Sequence, residues 1–312
     1  MQIDVIVLFF LLGFVAKLIG SNLRFPDGFH HSISIFLMLA IGIKGGIALS
    51  ENFSTSILIQ AGLFTLLGLA LPFMAYPVLK LVGGFEKKDS AAIAAHFGSV
   101  SIGTYAVAVA LLESQNVAYE AYFPLFVVLL EFPAMFIAVF LAKEAGGKLQ
   151  LGELSQQILK NESIVLLFGG LLIGFVAQAQ AVKLMPLFND MFYGVLALFL
   201  LAMGIDAADK VKLLKQNSVF LIAFGTLTPV INGLVGGVFG YLLGFSVGGI
   251  FLTIVLSASA SYIAVPIAMR TLLPDANHSF GMTTSLGITF PFNILAGMPV
   301  YWLFAHWLSK IA

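Results

Sequence analysis

Ser99-Val-Ser-Ile-Gly-Thr-Tyr-Ala-Val107 returns 158 residues later as Ser257-Ala-Ser-Ala-Ser-Tyr-Ile-Ala-Val265. The two serines and the closing Ala-Val keep their places, and the positions between are small, hydroxylated or apolar. The same offset carries Phe132-Pro133 onto Phe290-Pro291. Nearer the start, Gly13-Phe-Val-Ala16 recurs as Gly174-Phe-Val-Ala177, and Leu39-Ala-Ile-Gly-Ile43 as Leu201-Ala-Met-Gly-Ile205. The offsets agree to within a few residues, so one half of the chain repeats the other.

The solvent of this repeat is lipid. The 312 residues are 60% hydrophobic and 10% charged, with a mean hydropathy of +1.04. Soluble domains carry about 25% charged residues. The first apolar run begins at Ile3, contains Asp4 and has no basic residue before Lys17. It therefore reads as a membrane helix rather than a cleaved leader. Without cysteine, neither disulfides nor thiol chemistry are available. Net charge is zero and no basic stripe points to nucleic acid. Walker A, Rossmann, HExxH and GxSxG patterns are missing, so the chain does not read as an enzyme, and an ion gradient is the natural energy source.

Breaks at charged and Gly/Pro/Asn clusters divide the chain into ten expected spans: 3–20, 31–50, 56–80, 90–112, 119–142, 161–179, 187–206, 217–243, 247–269 and 280–309. The fold class expected is an all-α membrane protein of ten transmembrane helices in a 5+5 inverted repeat. Five is odd, so the second half enters from the opposite side. The first repeat covers 1–142, a cytoplasmic linker 143–160, and the second repeat 161–312. With both termini outside, only Lys44, Lys183 and Lys310 of the 15 basic residues face out, which satisfies the positive-inside rule for a cytoplasmic (inner) membrane. Trp302 and Trp307 suit an aromatic belt at the outer face.

The repeated serine runs fall near the middle of the fourth and ninth spans. Two readings are open. Small residues there pack helices closely. Alternatively, they let helices 4 and 9 break and present backbone N–H and C=O groups to a polar ligand at the midplane. Symmetric placement favours the second, with Ser99, Ser101, Gly103, Thr104, Ser259, Ser261 and Tyr262 as substrate-binding candidates. Glu131 lies mid-membrane before Phe132-Pro133. A carboxylate there costs at least about 2.5 kcal/mol on insertion scales, so it is paired, protonated or facing an ion. Its repeat mate Thr289, with Asn293 one turn on, could complete a coupling-ion site. His96 could carry a proton or brace a helix contact. Tyr105, Thr226 and Asn232 are weaker candidates. Lys44 and Asp206, at opposite faces, read as interfacial side chains.

These segments resemble a known family. His96–Glu113 (HFGSVSIGTYAVAVALLE), the following NVAYEAY and EFPA, SASYIAVPIAMRTLLPDANHS from Ser259, LAMGIDA from Leu201 and IGIKGGIAL from Ile41 are similar to segments of the sodium-dependent bicarbonate permease family (SbtA-like). The resemblance covers essentially the whole chain. It implies a core of helices 3–5 and 8–10, a gate of helices 1, 2, 6 and 7, a homotrimer, Na⁺-coupled anion uptake and a site between helices 4 and 9. Ser99, Ser101, Gly103 and Thr104 match one half of that site, and Ser259 and Ser261 the other. Glu131 stands where the family tends to have Asp. The chain departs from the pattern at Ile102, Ala260, Tyr262 and Ala264, where the family is more polar and, at Tyr262, acidic. A PII-like regulatory partner is associated with the family's long linker, which is short here.

The leading expectation is therefore Na⁺-coupled uptake of a small anion, bicarbonate first. Alternatives are another carboxylate or less polar solute with H⁺ coupling through Glu131 or His96, or a membrane sensor that does not transport.

Overall fold

The computed structural model describes residues 4–26, 28–143, 151–212 and 218–311, all helical or loop. In order the helices are α1 (Val5–Leu18), α2 (Phe29–Asn52), α3 (Thr55–Pro77, prolonged by a π turn at Val78–Val82), α4 (Lys87–Gly98), α5 (Ile102–Ser114), α6 (Pro124–Glu131), α7 (Pro133–Ala142), α8 (Leu151–Leu159), α9 (Glu162–Ala177), α10 (Phe192–Lys212), α11 (Ser218–Leu242), α12 (Val247–Ala258) and α13 (Ala264–Leu272). The last, α14, is the continuous run His278–Ser309, interrupted by π turns at Thr283–Thr289 and Asn293–Gly297.

Among the described residues, eight helices are long and apolar enough to cross a membrane. The expected first and ninth spans appear as shorter apolar helices, Val5–Leu18 and Val247–Ala258. The former stops before Gly20, whose φ of +79° ends the helical path. The latter stops where Ser259 turns extended. The fourth span is cut in the same way at Ser99–Ser101. The fifth is cut at Phe132, because Pro133 has no N–H to continue the ladder. Expected linker 143–160 contains a helix, α8, whose Leu154 and Ile158 are buried beside Ile164 and Leu273. Residues 144–150 of that linker, and Lys148 and Lys215 of the charge pattern, lie outside the described residues.

The repeated motifs near the start of each half turn out to be helix-crossing motifs. α1 packs chiefly on α10, and α2 on α9. Gly13 of α1 faces the Leu201 carbonyl of α10, and Gly204 of α10 faces the Phe10 carbonyl of α1. In the second pair, Gly42 and Gly46 face Leu167 and Leu171 carbonyls, and Gly174 faces that of Ile43. Each GFVA copy thus meets the LAxGI copy from the other half. In lipid, where burial of apolar surface gives no drive between helices, such close backbone approach is what makes two helices associate.

The remaining helices pack around α4, α5, α12 and α13. α4 and α5 are buried along their length, whereas much of α3, α9 and α11 is exposed. An apolar helix buried all round lies at the centre of its bundle, and one apolar and exposed faces lipid. The broken helices are therefore inside.

Candidate functional site

A helix broken inside a bundle leaves carbonyls without partners at one stump and N–H groups at the other. With no water in the hydrocarbon layer, each must find a protein partner or a ligand. The stumps of the two breaks satisfy one another. Ser101 N donates to Ser259 Oγ at 3.0 Å. Ser261 N donates to the His96 carbonyl at 2.8 Å. Ser101 and Ser259 are the third residues of the two repeated runs, so repeat mates touch each other.

The local caps follow from the same serines. Ser101 is the N-cap of α5, its Oγ accepting from Thr104 N at 3.1 Å and from Thr104 Oγ1 at 2.8 Å. Ser261 Oγ accepts from Val265 N at 3.3 Å at the start of α13. Ser259 Oγ donates to Leu256 O at 2.8 Å. Ser99 Oγ reaches the Glu131 carbonyl at 3.1 Å, tying the first break to the end of α6. His96 Nδ1 lies 2.6 Å from the Ser261 carbonyl. A carbonyl only accepts, so Nδ1 carries the proton of this bond.

Three asparagines complete the joint. Asn232 Nδ2 donates to Phe97 O at 3.2 Å, Asn293 Nδ2 to Ala258 O at 2.9 Å and Asn161 Nδ2 to Ala264 O at 3.2 Å. Asn161 was not among the sequence candidates. Its signal was an amide at the head of an apolar helix, where it also caps α9 through Ser163 N. The structure does not bring the three coupling-ion candidates together by any hydrogen bond. Thr289 Oγ1 is spent on Gly225 O at 2.7 Å, and Asn293 Oδ1 accepts from Tyr301 at 2.7 Å. Glu131 is 1% exposed, and its Oε2 has no hydrogen-bond partner.

Tyr262 sits at the second break with its hydroxyl against Ser101 and Gly103, and without a hydrogen bond of ordinary geometry. A Cβ on Gly103 would stand 2.5 Å from that hydroxyl and 2.6 Å from the Phe199 ring. Gly103→Ala is therefore expected to cost about 1–3 kcal/mol as overpacking. Tyr262→Phe in the same chain should recover part of this, since Phe199 stays in place. Thermal melts of the two single variants and the double variant check it, and strict additivity would show that Gly103 and Tyr262 do not meet.

A cavity of about 300 Å³ leads to Tyr262 from one end of the bundle. Its rim carries two imidazole–carboxylate pairs, His30–Asp206 at 3.0 Å and His31–Glu162 at 3.2 Å, and Arg270. At the other end a cavity of about 40 Å³ remains, lined in part by Lys44, Tyr105, Tyr119 and Phe192. Lys44 Nζ there lies 4.0 Å from Glu113 and 5.0 Å from the Phe192 ring centre.

A model of the Na⁺-dependent bicarbonate transporter superfamily matches residues 5–306. The chain belongs to this superfamily. No curated protein matches it. The match runs from the first residue of α1 into the last turns of α14, so both broken helices and every crossing described above lie within it. Membership and the apolar helices together make this an integral, multi-pass membrane protein of a transporter superfamily, not of an enzyme family. The paired breaks within this match hold backbone donors and acceptors inside the bundle, beside the 300 Å³ cavity that Tyr262 lines.

Proposed function

We propose that the protein is a secondary active transporter that takes up a small anion, bicarbonate first, in symport with Na⁺. The observation that supports this most is the mutual capping of the two breaks. Ser99, Ser101, Thr104, Ser259 and Ser261 have their hydrogen bonds to each other and to stump backbone. An anion entering between the stumps would exchange those bonds for its own without leaving a donor bare, and α5 and α13 begin there with their positive dipole ends. Gly103 and Tyr262 complete the wall. On this reading the chain is a 5+5 inverted repeat of ten crossings, with α1, α2, α9 and α10 as gate and the other membrane helices as the moving core. It lies in the cytoplasmic membrane with both termini outside, and the 300 Å³ cavity is the inward path. A homotrimer is the assembly that the family resemblance implies.

Glu131 is the coupling-ion residue in this proposal. A buried carboxylate oxygen with no partner is costly unless something cationic joins it. Among the described residues no three His, Asp or Glu side chains cluster as a metal site. Na⁺ would therefore rest on one carboxylate with hydroxyl and carbonyl oxygens, the donor set of transporter ion sites. Thr289 and Asn293 would join only by releasing Gly225 and Tyr301. His96, with Nδ1 committed to Ser261, serves as a tie between the breaks.

The test is uptake of ¹⁴C-bicarbonate into proteoliposomes at fixed pH, with and without an inward Na⁺ gradient. Accumulation that collapses with the gradient is expected. Correctly folded, reconstituted protein that moves no bicarbonate would remove bicarbonate as cargo. Flux that ignores Na⁺ but follows a pH gradient would move the coupling to protons.

A further inference from the structure

The cavity beneath Tyr262 is too large and too apolar to be a site shaped for bicarbonate alone. At roughly 30 Å³ per liquid water, its 300 Å³ holds about ten waters. This is the lower end of the range for organic ligands. Between rim and floor it is walled by Met38 of α2, Met203 of α10, Ile267 of α13, Met282 and Leu286 of α14, and the Tyr262 ring. Thioether side chains adapt to an apolar guest without a fixed shape.

The polar groups are at the mouth, and they are not equivalent. Asp206 and Glu162 are each held by an imidazole nitrogen. Arg270 has no carboxylate within ion-pair distance among the described residues, although it stands in the same rim. A guanidinium presents paired N–H donors that match the two oxygens of a carboxylate. Arg270 lies seven residues beyond Ile263 at the cavity floor, about 10 Å along a helix at 1.5 Å per residue. The cavity therefore has a cationic fork at its mouth, apolar walls over about two helical turns, and an aromatic ring at its floor.

We propose that this cavity is a binding site for an amphipathic monocarboxylate, its carboxylate on Arg270 and its hydrocarbon chain laid along the methionines toward Tyr262. The site stands whichever anion crosses between the breaks, and a bound chain would occupy the inward path.

The test is calorimetric titration of the intact protein in nanodiscs of zwitterionic lipid with acetate, butanoate and hexanoate, and with the alcohols of the same chain lengths. Empty nanodiscs serve as the blank. Burial of each added methylene is expected to tighten carboxylate binding about fourfold. The alcohols should bind at least tenfold more weakly than the matching acids. Arg270→Gln, at an exposed position with no carboxylate partner among the described residues, should erase that difference and keep the dependence on chain length. Ile267→Trp, which fills the wall, should end the gain at a shorter chain. Affinity that does not rise with chain length, or an acid preference untouched by Arg270→Gln, would overturn the proposal. Neither result would bear on Na⁺-driven bicarbonate uptake, which is measured separately.

Discussion

Glu131→Gln is expected to abolish ion-driven uptake while leaving the protein at least as stable as the parent in Na⁺-free buffer. Most substitutions of buried polar residues lower stability, because a partner is left unsatisfied. Here Oε2 has no partner to lose. The side chain is 1% exposed at the end of α6, and the backbone carbonyl accepts from Ser99 Oγ at 3.1 Å. Glutamine keeps the shape and that carbonyl. It replaces a group that is costly to bury ionised with a neutral amide that costs less. The sign for function is the opposite. An amide cannot supply the negative charge that would draw a cation from water. In the parent, Na⁺ at a hundred times its dissociation constant should add about 2.7 kcal/mol of stability. In the variant that increment should vanish together with accumulation. Proteoliposome uptake and melts with and without Na⁺ measure both. Accumulation at the parental level in the variant would remove Glu131 from the mechanism.

What the sequence made legible was whatever identity and spacing determine. Apolar composition required lipid. The recurrence of Ser101 as Ser259 placed two equivalent interruptions, and the structure joins those residues by a hydrogen bond. Glu131 was legible as a buried acid because no basic residue lies near it in the sequence, and no partner reaches its Oε2 in the fold. What was not legible depends on how helices are rotated against each other. Thr289 is the repeat mate of Glu131, yet it faces α11 and bonds Gly225. Asn293 is one turn away, yet it serves Ala258. Which side chain fills a freed carbonyl is decided by crossing geometry over large sequence separations, and spacing within one helix carries no trace of it. α8 was missed for another reason. Its apolar residues, Leu151, Leu154 and Ile158, hold helical spacing over only nine residues, in a charged stretch that reads as linker.

The short GFVA and LAxGI repeats carry the second large prediction, because their meaning changed once they were seen to meet. As sequence they marked an internal duplication. In the fold they are the points where α1 meets α10 and α2 meets α9 with no side chain between. Gly174 of α9 is the sharpest case. A Cβ there would strike the Ile43 carbonyl and stand 2.9 Å from Ile47 N and 3.0 Å from the Gly46 Cα, all backbone. Backbone inside a hydrogen-bonded helix cannot rotate away as a side-chain tip can. Gly174→Leu must therefore push α2 and α9 apart along the whole crossing, beyond the roughly 1–3 kcal/mol of ordinary overpacking. Gly169→Leu is the control on the same helix, where a Cβ meets nothing within 4 Å. Both substitutions add the same volume and the same hydrophobicity, and both raise helix propensity. If membrane insertion or helix formation limited the fold, both would be neutral or favourable. If the α2–α9 seam limits it, Gly174→Leu should lose nearly all monodisperse protein on size-exclusion chromatography, and Gly169→Leu should yield as much as the parent. Gly46→Leu, from the facing helix, should reproduce the loss. Equal yields from Gly174→Leu and Gly169→Leu would mean that the seam is not what holds these helices together, and that the repeat is a record of duplication with no continuing structural demand on its glycines.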